Sequence, residues 1–246
     1  MRRVAGKVAI LCDFDGTVTV EEVSTSLLDE FSAHEWRKAD ADLLSGRTSL
    51  RQTMEREFGL LGAPRPEMER FVRRVHLRKG FAALVAAARE HRAPLVIVSE
   101  GLDFYIRAFL EDQGIDANFR TNHAVFTKRG IVVEHPFSDP ECDYCGTCKK
   151  AQIALFKEKG YTTVYVGDGI SDRCPSRHAD LLFARNGLLD HCRKERIRCI
   201  PYDDFTDVLR ALEGRFWKRP AARPQCPAPS GRRPQVQGPR PRPRRR

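Results

Sequence analysis

The chain of 246 residues lacks an apolar segment of membrane-spanning length. Its longest uninterrupted apolar run, residues 81–88, has eight residues, whereas a transmembrane helix needs about 20. The apolar stretch near the N-terminus is broken by Lys7 and stops at Asp13, so we expect no signal peptide. Without export, the eight cysteines are expected to be reduced thiols or metal ligands rather than a disulfide framework. These absences predict a cytoplasmic protein.

Acidic residues are absent from the last 29 residues, 218–246. This segment has ten of the 43 basic residues and eight of the 15 prolines, which leaves 33 basic and 33 acidic residues in 1–217. Because it has few apolar residues, we expect a disordered Arg/Pro-rich tail over 215–246. Its charge could attach the protein to nucleic acid or an anionic membrane, or it could be a solvated extension. Specific nucleic-acid binding is not expected, since no aromatic residue follows Trp217 to stack on bases.

Short apolar runs alternate with helical patterns along most of the chain. The runs that predict buried strands are residues 8–12, 94–98, 163–166 and 181–183. Between the first two runs, residues 20–78 show only helical periodicity, and residues 119–126 and 131–134 indicate a hairpin. The pattern predicts an α/β protein with a doubly wound parallel sheet and a helical insertion after its first strand. We expect a catalytic core of residues 1–19 and 79–214, and a small helical cap of residues 20–78.

Polar side chains follow three of these predicted strands. Asp13 and Asp15 follow the first strand, Ser99 follows the second, and Asp168 follows the third. Ligands of doubly wound sheets bind beyond the carboxyl ends of the strands, so we expect one site there. Each group also has a simpler interpretation, because Asp-x-Asp-Gly is a common turn and Ser99 could cap a helix beginning at Leu102.

Two carboxylates at one strand end can divide the work of phosphoryl transfer. One can attack phosphorus to give an aspartyl-phosphate, while the other protonates the leaving oxygen and later deprotonates water. This chemistry also needs a hard cation, a lysine, and hydroxyl or amide donors around the phosphate. The chain offers candidates for these further groups in the order Thr17, Ser99, Lys149 or Lys150, Asp168 and Asp172.

Four of these segments together resemble the motifs of the haloacid dehalogenase superfamily of phosphotransferases. They are Asp13-Phe14-Asp15-Gly16-Thr17, Val96-Ile97-Val98-Ser99, Lys149, and Gly167-Asp168-Gly169-Ile170-Ser171-Asp172. A short cap between the first and second motifs resembles the phosphoserine-phosphatase-like branch, subfamily IB. Further stretches resemble the methionine-salvage phosphatases that act on 2-hydroxy-3-keto-5-methylthiopentenyl-1-phosphate, and the resemblance covers roughly residues 7–212. These stretches include Arg56-Glu57-Phe58-Gly59-Leu60-Leu61, Cys148-Lys149 and Pro201-Tyr202-Asp203-Asp204-Phe205.

The resemblance implies a Mg²⁺-dependent phosphomonoesterase that acts on a small phosphorylated metabolite. By this resemblance, Asp13 is the nucleophile and Asp15 the general acid and base. Asp168 would bind Mg²⁺ with the Asp13 side chain and the Asp15 carbonyl, and Asp172 would act on the metal through water. The groups implied to bind phosphate or substrate are Thr17, Ser99, Glu100, Gly101 and Lys149, with Glu22 and Arg56 from the cap. The substrate could be the methionine-salvage compound, phosphoserine or a phosphorylated amino alcohol.

Some positions leave alternatives open. Glu100 stands where many of these enzymes have glycine, so its side chain lies beside the phosphate unless it turns away. Lys150 competes with Lys149 for the role of phosphate lysine. Glu22 and Arg56 could read the substrate or could be solvated charges on a helix face. The sequence does not indicate an oligomeric state.

Three cysteines at regular spacing precede Lys149. Cys142, Cys145 and Cys148 have a spacing that suits a zinc or iron–sulfur site, but a structural zinc needs a fourth ligand. Candidates for that ligand are His135, Cys174 and His178. The alternatives are a loop of reduced thiols or a redox-sensitive pair beside the site.

Overall fold

The structure is a computed structural model that describes residues 7–32 and 35–217. Most of the predicted basic tail, residues 218–246, lies outside the described residues. The predicted start of that tail at residue 215 is wrong. The last helix reaches Arg215, and Trp217 is 4% exposed because its ring stacks on His91 with 4.8 Å between centroids.

Within the described residues, seven strands form a single sheet. They are β1 (Val8–Cys12), β2 (Leu95–Leu102), β3 (Asn118–Thr127), β4 (Gly130–Glu134), β5 (Thr162–Gly167), β6 (Leu181–Ala184) and β7 (Ile200–Pro201). The order across the sheet is β4-β3-β2-β1-β5-β6-β7. All neighbours are parallel except the β3–β4 hairpin, which confirms the predicted doubly wound α/β fold.

Helices flank this sheet and fill the segment between its first two strands. The first four helices of that segment are α1 (Val23–Phe31), α2 (Trp36–Leu44), α3 (Leu50–Gly59) and α4 (Arg65–Val72). The others are α5 (Phe81–Glu90), α6 (Asp103–Asp112), α7 (Lys149–Glu158), α8 (Asn186–Glu195) and α9 (Phe205–Arg215). In the described ranges, no helix has both the length and the apolar character needed to cross a membrane.

The central strand β1 is buried on both of its faces. Its alternate residues Val8, Ile10 and Cys12 belong to the larger apolar cluster, whereas Ala9 and Leu11 belong to the smaller cluster. This alternation follows from the two-residue period of a strand, and covering helices on both faces explain why the run is continuously apolar. The C-terminal end of β1 therefore has a fixed position at the centre of the carboxyl edge of the sheet.

The loop after β1 is held by one buried arginine. The Arg78 guanidinium donates hydrogen bonds to the carbonyl oxygens of Gly16, Thr17 and Thr19 at 2.7, 2.8 and 2.9 Å. Arg78 is buried. Its N–H groups take the place of water as hydrogen-bond donors to carbonyl oxygens that would otherwise lack partners. Arg78 lies between α4 and α5. Its hydrogen bonds therefore fix the end of β1 relative to the segment that connects these two helices.

We expect Arg78→Met to lower the free energy of unfolding by about 3 kcal/mol, because several buried carbonyls would lose their donor at once. Urea denaturation measures this change. The control is Arg70→Met, which changes an exposed arginine of α4 and should shift stability by less than about 0.5 kcal/mol. Equal effects of the two substitutions would contradict the anchoring role of Arg78.

Candidate active site

Four segments meet at the carboxyl edge of the sheet, beside a cleft of about 350 Å³. They are the loop after β1, the end of β2, the first turn of α7 and the loop after β5. Parallel strands place their carboxyl ends at the same edge, so segments distant in sequence converge there. The sheet order sets β1 between β2 and β5, which puts Asp13 in the middle of the cleft.

Lys149 lies at the centre of the buried charges. Its Nζ is 2.9 Å from Asp13 Oδ2 and 2.7 Å from Asp172 Oδ1, and it donates to Ser171 Oγ at 2.8 Å. Burial alone would lower the pKa of Lys149, but the two carboxylates raise it above the usual range. The side chain is 2% exposed, whereas Lys150 is exposed. Of the two candidate lysines, Lys149 is therefore the one that lies in the site.

Asp172 is saturated with hydrogen bonds. Oδ1 accepts from Lys149 Nζ and from the Tyr165 hydroxyl at 2.5 Å, and Oδ2 accepts from the backbone N–H groups of Asp168 and Gly169. Burial opposes ionisation, but Lys149 and these donors lower the pKa of Asp172. The carboxylate therefore holds the loop after β5 and the lysine in one arrangement.

Asp168 follows β5 and is oriented by Thr17. The Thr17 hydroxyl donates to Asp168 Oδ1 at 2.7 Å, and Thr17 has no exposed surface. The prediction that Thr17 binds phosphate does not fit this position, because the hydroxyl proton is already used by a carboxylate. Burial and the nearby Asp172 raise the pKa of Asp168.

Asp15 faces the N-terminus of α1 and the hydroxyl of Tyr105. The hydroxyl donates to Asp15 Oδ2 at 2.8 Å, and the Ser24 N–H donates to Oδ1 at 3.1 Å. Burial raises the pKa of Asp15 to about 6, against these hydrogen bonds. Gly101 permits this pair, because a Cβ at position 101 would collide with the Tyr105 hydroxyl. The glycine predicted to bind phosphate is thus also required for packing.

Ser99 lies inside β2 and does not cap the following helix. The strand continues to Leu102, α6 begins at Asp103, and Ser99 Oγ accepts a hydrogen bond from the Gly101 N–H at 2.9 Å. The capping interpretation of Ser99 is therefore wrong. Ser99 is 1% exposed and lines the cleft beside Asp13.

The Glu100 side chain is engaged by the loop that leads into α7. Its Oε2 accepts from the backbone N–H groups of Gly146 and Thr147, both at 3.1 Å, whereas Oε1 has no partner in the described part of the chain. Burial raises the pKa of Glu100. The acid thus anchors the segment before Lys149, although it also borders the cleft.

One cluster of potential metal ligands is present among the described residues. Oxygen atoms of Asp13, Asp168 and Asp172 lie within 4.8 Å of one another. Burial raises the pKa of Asp13, and Asp172 and Asp168 add to this shift, while Lys149 opposes it. Two of the three carboxylates are therefore poorly compensated, and their hard oxygen atoms suit a divalent cation such as Mg²⁺.

The described residues do not support the zinc site that the cysteine spacing suggested. Cys142, Cys145 and Cys148 form no such ligand cluster, either with one another or with His135, Cys174 or His178. The backbone of their loop instead accepts hydrogen bonds from α3. Arg51 of α3 donates to the carbonyl oxygens of Cys142 and Cys145 at 3.1 and 2.8 Å.

The two residues that we predicted to read the substrate are placed differently. Glu22 lines the cleft, and desolvation followed by repulsion from Asp15 and Asp168 raises its pKa to about 8, although the residue as a whole is exposed. Arg56 lies outside the cleft, is exposed and approaches Asp42 at 3.7 Å. The structure therefore does not bring Arg56 to the predicted site.

Glu57, the neighbour of Arg56, is the charged residue of α3 that lines the cleft. Sequence reasoning missed it, although Leu50, Met54 and Glu57 have the spacing of one helix face and all line the cleft. Glu57 is 5% exposed, and burial followed by repulsion from Asp40 raises its pKa to about 8. Trp36 and Asp40 of α2 line the cleft opposite the sheet as well.

Comparisons with known proteins agree on one family. A sequence profile of the haloacid dehalogenase-like hydrolases matches residues 10–174. The chain is 32% identical over 208 residues to a 2-hydroxy-3-keto-5-methylthiopentenyl-1-phosphate phosphatase of Bacillus velezensis, a match covering 83% of this chain and 89% of that protein. It is 33% identical over 212 residues to the protein of the same name from Geobacillus kaustophilus, covering 84% and 96%.

Solved structures resemble the fold. A substrate-bound phosphoserine phosphatase has a TM-score of 0.63 and 21% identity, and the match covers 85% of this chain and 99% of that one. A phospho-aspartyl intermediate analogue of phosphoserine phosphatase gives the same TM-score and identity, covering 84% and 99%. At this identity the likeness concerns the fold alone.

We expect Glu57→Gln to stabilise the protein more strongly in alkaline than in acidic solution. A carboxyl group whose pKa is raised on folding makes the folded protein less stable as the pH rises. The loss occurs between the pKa of the group in the unfolded chain and its pKa in the folded protein, which is about 8 for Glu57. Glutamine carries no such charge, so the melting temperature of the variant should exceed that of the original protein more at about pH 8.5 than at about pH 5. The exposed Glu30→Gln should show no such difference. A pH-independent effect of Glu57→Gln would contradict the burial of an ionisable carboxyl group.

Proposed function

The chain belongs to the haloacid dehalogenase-like hydrolases, and from this premise we propose a Mg²⁺-dependent phosphomonoesterase that works through a phosphorylated Asp13. The observation that carries this proposal is the contact of one buried ammonium, Lys149, with both Asp13 and Asp172. An ionised carboxylate beside a fixed positive charge, at the edge of a small cleft, is suited to attack an anionic phosphate ester.

Asp13 is the proposed nucleophile because both of its oxygen atoms are held in place. Oδ1 accepts from the Phe14 N–H at 2.8 Å, and Oδ2 contacts Lys149. The ammonium opposes the rise in the pKa of Asp13 that burial causes, and it reduces the repulsion between this carboxylate and an incoming phosphate. Attack forms a bond from an Asp13 oxygen to phosphorus while the bond from phosphorus to the leaving oxygen breaks.

Asp15 is the proposed general acid and base. Its pKa of about 6 allows a proton to reside on the carboxyl group near neutral pH and to pass to the leaving oxygen. After the alcohol leaves, the ionised Asp15 takes a proton from the water that hydrolyses the phosphorylated Asp13. Tyr105 and the Ser24 N–H orient the carboxyl group for both steps.

The buried acids fit a magnesium ion. Asp13 and Asp168 would hold it together with the backbone carbonyl of Asp15, and when bound it would neutralise charge on the phosphate oxygens. Because both oxygens of Asp172 already accept two hydrogen bonds each, we propose that Asp172 positions Lys149 and the loop after β5. Thr17 would act in the same indirect way, by orienting Asp168.

Ser99 and the backbone around Gly101 are the proposed phosphate contacts on β2. Both residues line the cleft next to Asp13, and the Ser99 hydroxyl proton is free to be donated because its oxygen accepts from the Gly101 N–H. Glu100 supports the site indirectly, because its carboxylate binds the backbone of the loop that leads to Lys149.

The substrate is proposed to be a small phosphorylated metabolite enclosed by residues 20–78 acting as a cap. The names of the relatives make 2-hydroxy-3-keto-5-methylthiopentenyl-1-phosphate the first compound to test. The cleft offers the apolar side chains of Leu28, Leu43, Leu50 and Met54 to a methylthioalkyl chain. We also propose the cytoplasmic location predicted from the sequence.

We expect the protein to hydrolyse p-nitrophenyl phosphate with Mg²⁺ and to lose activity on removal of the metal by EDTA. Asp13→Asn should lower kcat by at least about 1,000-fold, because an amide cannot serve as the nucleophile. Steady-state release of p-nitrophenol measures both effects. Asp190→Asn, an exposed acid of α8, is the control and should retain full activity. Metal-independent hydrolysis that survives in Asp13→Asn would refute the mechanism.

Lys149 and Lys150 provide a matched pair of substitutions. Lys149→Met should lower kcat by about 100-fold, since the buried charge beside Asp13 is lost, while Lys150→Met should change it less than about twofold. Thermal denaturation of both variants separates this loss from unfolding. Equal activities in the two folded variants would exclude Lys149 from the reaction.

A further inference from the structure

We propose that the cap side of the cleft binds an organic cation, so that the preferred substrates are phosphate esters of amino alcohols. The proposed cation-binding subsite consists of Trp36, Asp40 and Glu57. The inference rests on the proposed phosphatase function and adds the chemical class of the leaving group.

The charge of the cleft is strongly one-sided. Seven carboxylates line it, namely Asp13, Asp15, Glu22, Asp40, Glu57, Glu100 and Asp168. Among the described residues that line the cleft there is no lysine, arginine or histidine. Lys149 lies behind this surface, where its Nζ is held by Asp13, Asp172 and Ser171.

The phosphate-binding end accounts for four of the seven acids. Asp13 and Asp15 have roles in phosphoryl transfer, Asp168 fits the metal, and Glu100 binds the loop before α7. The remaining acids are Glu22, at the boundary between core and cap, and the pair formed by Asp40 and Glu57. This pair has no role in the phosphoryl-transfer steps described above.

Glu57 is a buried acid without a partner. It is 5% exposed, and no hydrogen bond or ion pair of its side chain is found within residues 7–32 and 35–217. Removing a carboxyl group from water without a partner is costly, and a nearby second acid increases that cost. A cation that enters the cleft between Asp40 and Glu57 would provide the missing compensation.

Trp36 supplies a second, independent indication of a ligand. Its indole is 7% exposed and lines the cleft, and Nε1–H has no acceptor in the described part of the chain. An indole face attracts ammonium and quaternary ammonium groups, and the Arg37 guanidinium already lies over this ring, 4.5 Å from its centroid. A ligand cation would contact the part of the indole that lines the cleft.

The subsite suits an organic cation better than a second metal ion or an anion. Apart from Asp13, Asp168 and Asp172, no three potential ligand residues of the described chain bring their donor atoms within 4.8 Å. Leu43, Leu50 and Met54 add apolar surface that would contact the carbon atoms of an amine. A substrate carboxylate would face acids and no basic side chain, so phosphoserine should be a poorer substrate than its decarboxylated analogue, phosphoethanolamine.

Two amphipathic helices, α2 and α3, provide the residues on this side of the cleft. Trp36, Asp40 and Leu43 recur at the spacing of one face of α2, as Leu50, Met54 and Glu57 do on α3. Each cleft-facing helix surface contains one acid among apolar residues. An acid among apolar residues makes folding less favourable. We therefore infer that Asp40 and Glu57 serve to bind a ligand.

The test uses substrate pairs that differ in charge and match in shape. Phosphoethanolamine is compared with propyl phosphate, and phosphocholine with 3,3-dimethylbutyl phosphate, on the full chain with Mg²⁺. For at least one pair, kcat/KM of the cationic ester should exceed that of its neutral partner by at least about tenfold. In Glu57→Gln and Asp40→Asn this ratio should fall about tenfold, while kcat/KM for the neutral ester stays within about twofold.

Control measurements separate the possible failures. Glu30→Gln, an exposed acid of α1 outside the cleft, should keep the full ratio. Turnover of p-nitrophenyl phosphate and of the neutral esters without any preference for cations would overturn the subsite and leave the phosphatase intact. Preference for 2-hydroxy-3-keto-5-methylthiopentenyl-1-phosphate over every cationic ester would overturn it as well. Absence of all phosphatase activity would instead refute the proposed function.

Discussion

The active-site arrangement depends on the buried ammonium of Lys149, which lies between the carboxylates of Asp13 and Asp172. These three groups come from the loop after β1, the start of α7 and the loop after β5. A buried charge is tolerated only when its partners are close and correctly oriented, so the contact fixes the relative positions of all three segments. The same contact favours the ionised form of Asp13 against the effect of burial, and it therefore links the stability of the site to its chemistry.

Several other interactions act to preserve this arrangement. Arg78 fixes the loop after β1 through its carbonyls, and Glu100 fixes the segment before α7 through its amides. Thr17 orients Asp168 from the opposite side. The core side of the cleft is thus tied together by these contacts, whereas the two cleft-lining acids Asp40 and Glu57 have no ion pair in the described residues. We attribute this contrast to the ligand, whose phosphate meets the first region and whose organic part meets the second.

The sequence was sufficient to predict six of the seven strands, including the hairpin, and the place where the acids converge, but not the two-residue strand β7. Continuous apolar runs indicate parallel strands that are buried on both faces, and their ends define the site. Helix α8 was missed because only Leu188 and Cys192 of its residues are buried, which leaves little apolar periodicity to detect. The apolar run predicts a strand that ends before Ser99, whereas β2 continues to Leu102 through a glutamate and a glycine that do not extend the apolar pattern.

Side-chain direction was harder to predict than residue position. Arg56 and Glu57 are adjacent, and the helical face shared by Leu50 and Met54 selects Glu57. The sequence therefore contains the signal that distinguishes Glu57 from Arg56. The contacts of Thr17 and Arg78 depend on tertiary structure, because their partners are a carboxylate 151 residues away and carbonyls about 60 residues away.

In the proposed mechanism, substrate phosphate is transferred to Asp13 before it reaches water. Rapid acid quenching during a single turnover, followed by proteolysis and mass spectrometry, measures this transfer directly. We expect a transient phosphoryl group on the peptide that contains Asp13, formed at least as fast as inorganic phosphate appears. Substrate consumption with no phosphorylated peptide at any time, or phosphorylation of a different residue, would contradict it.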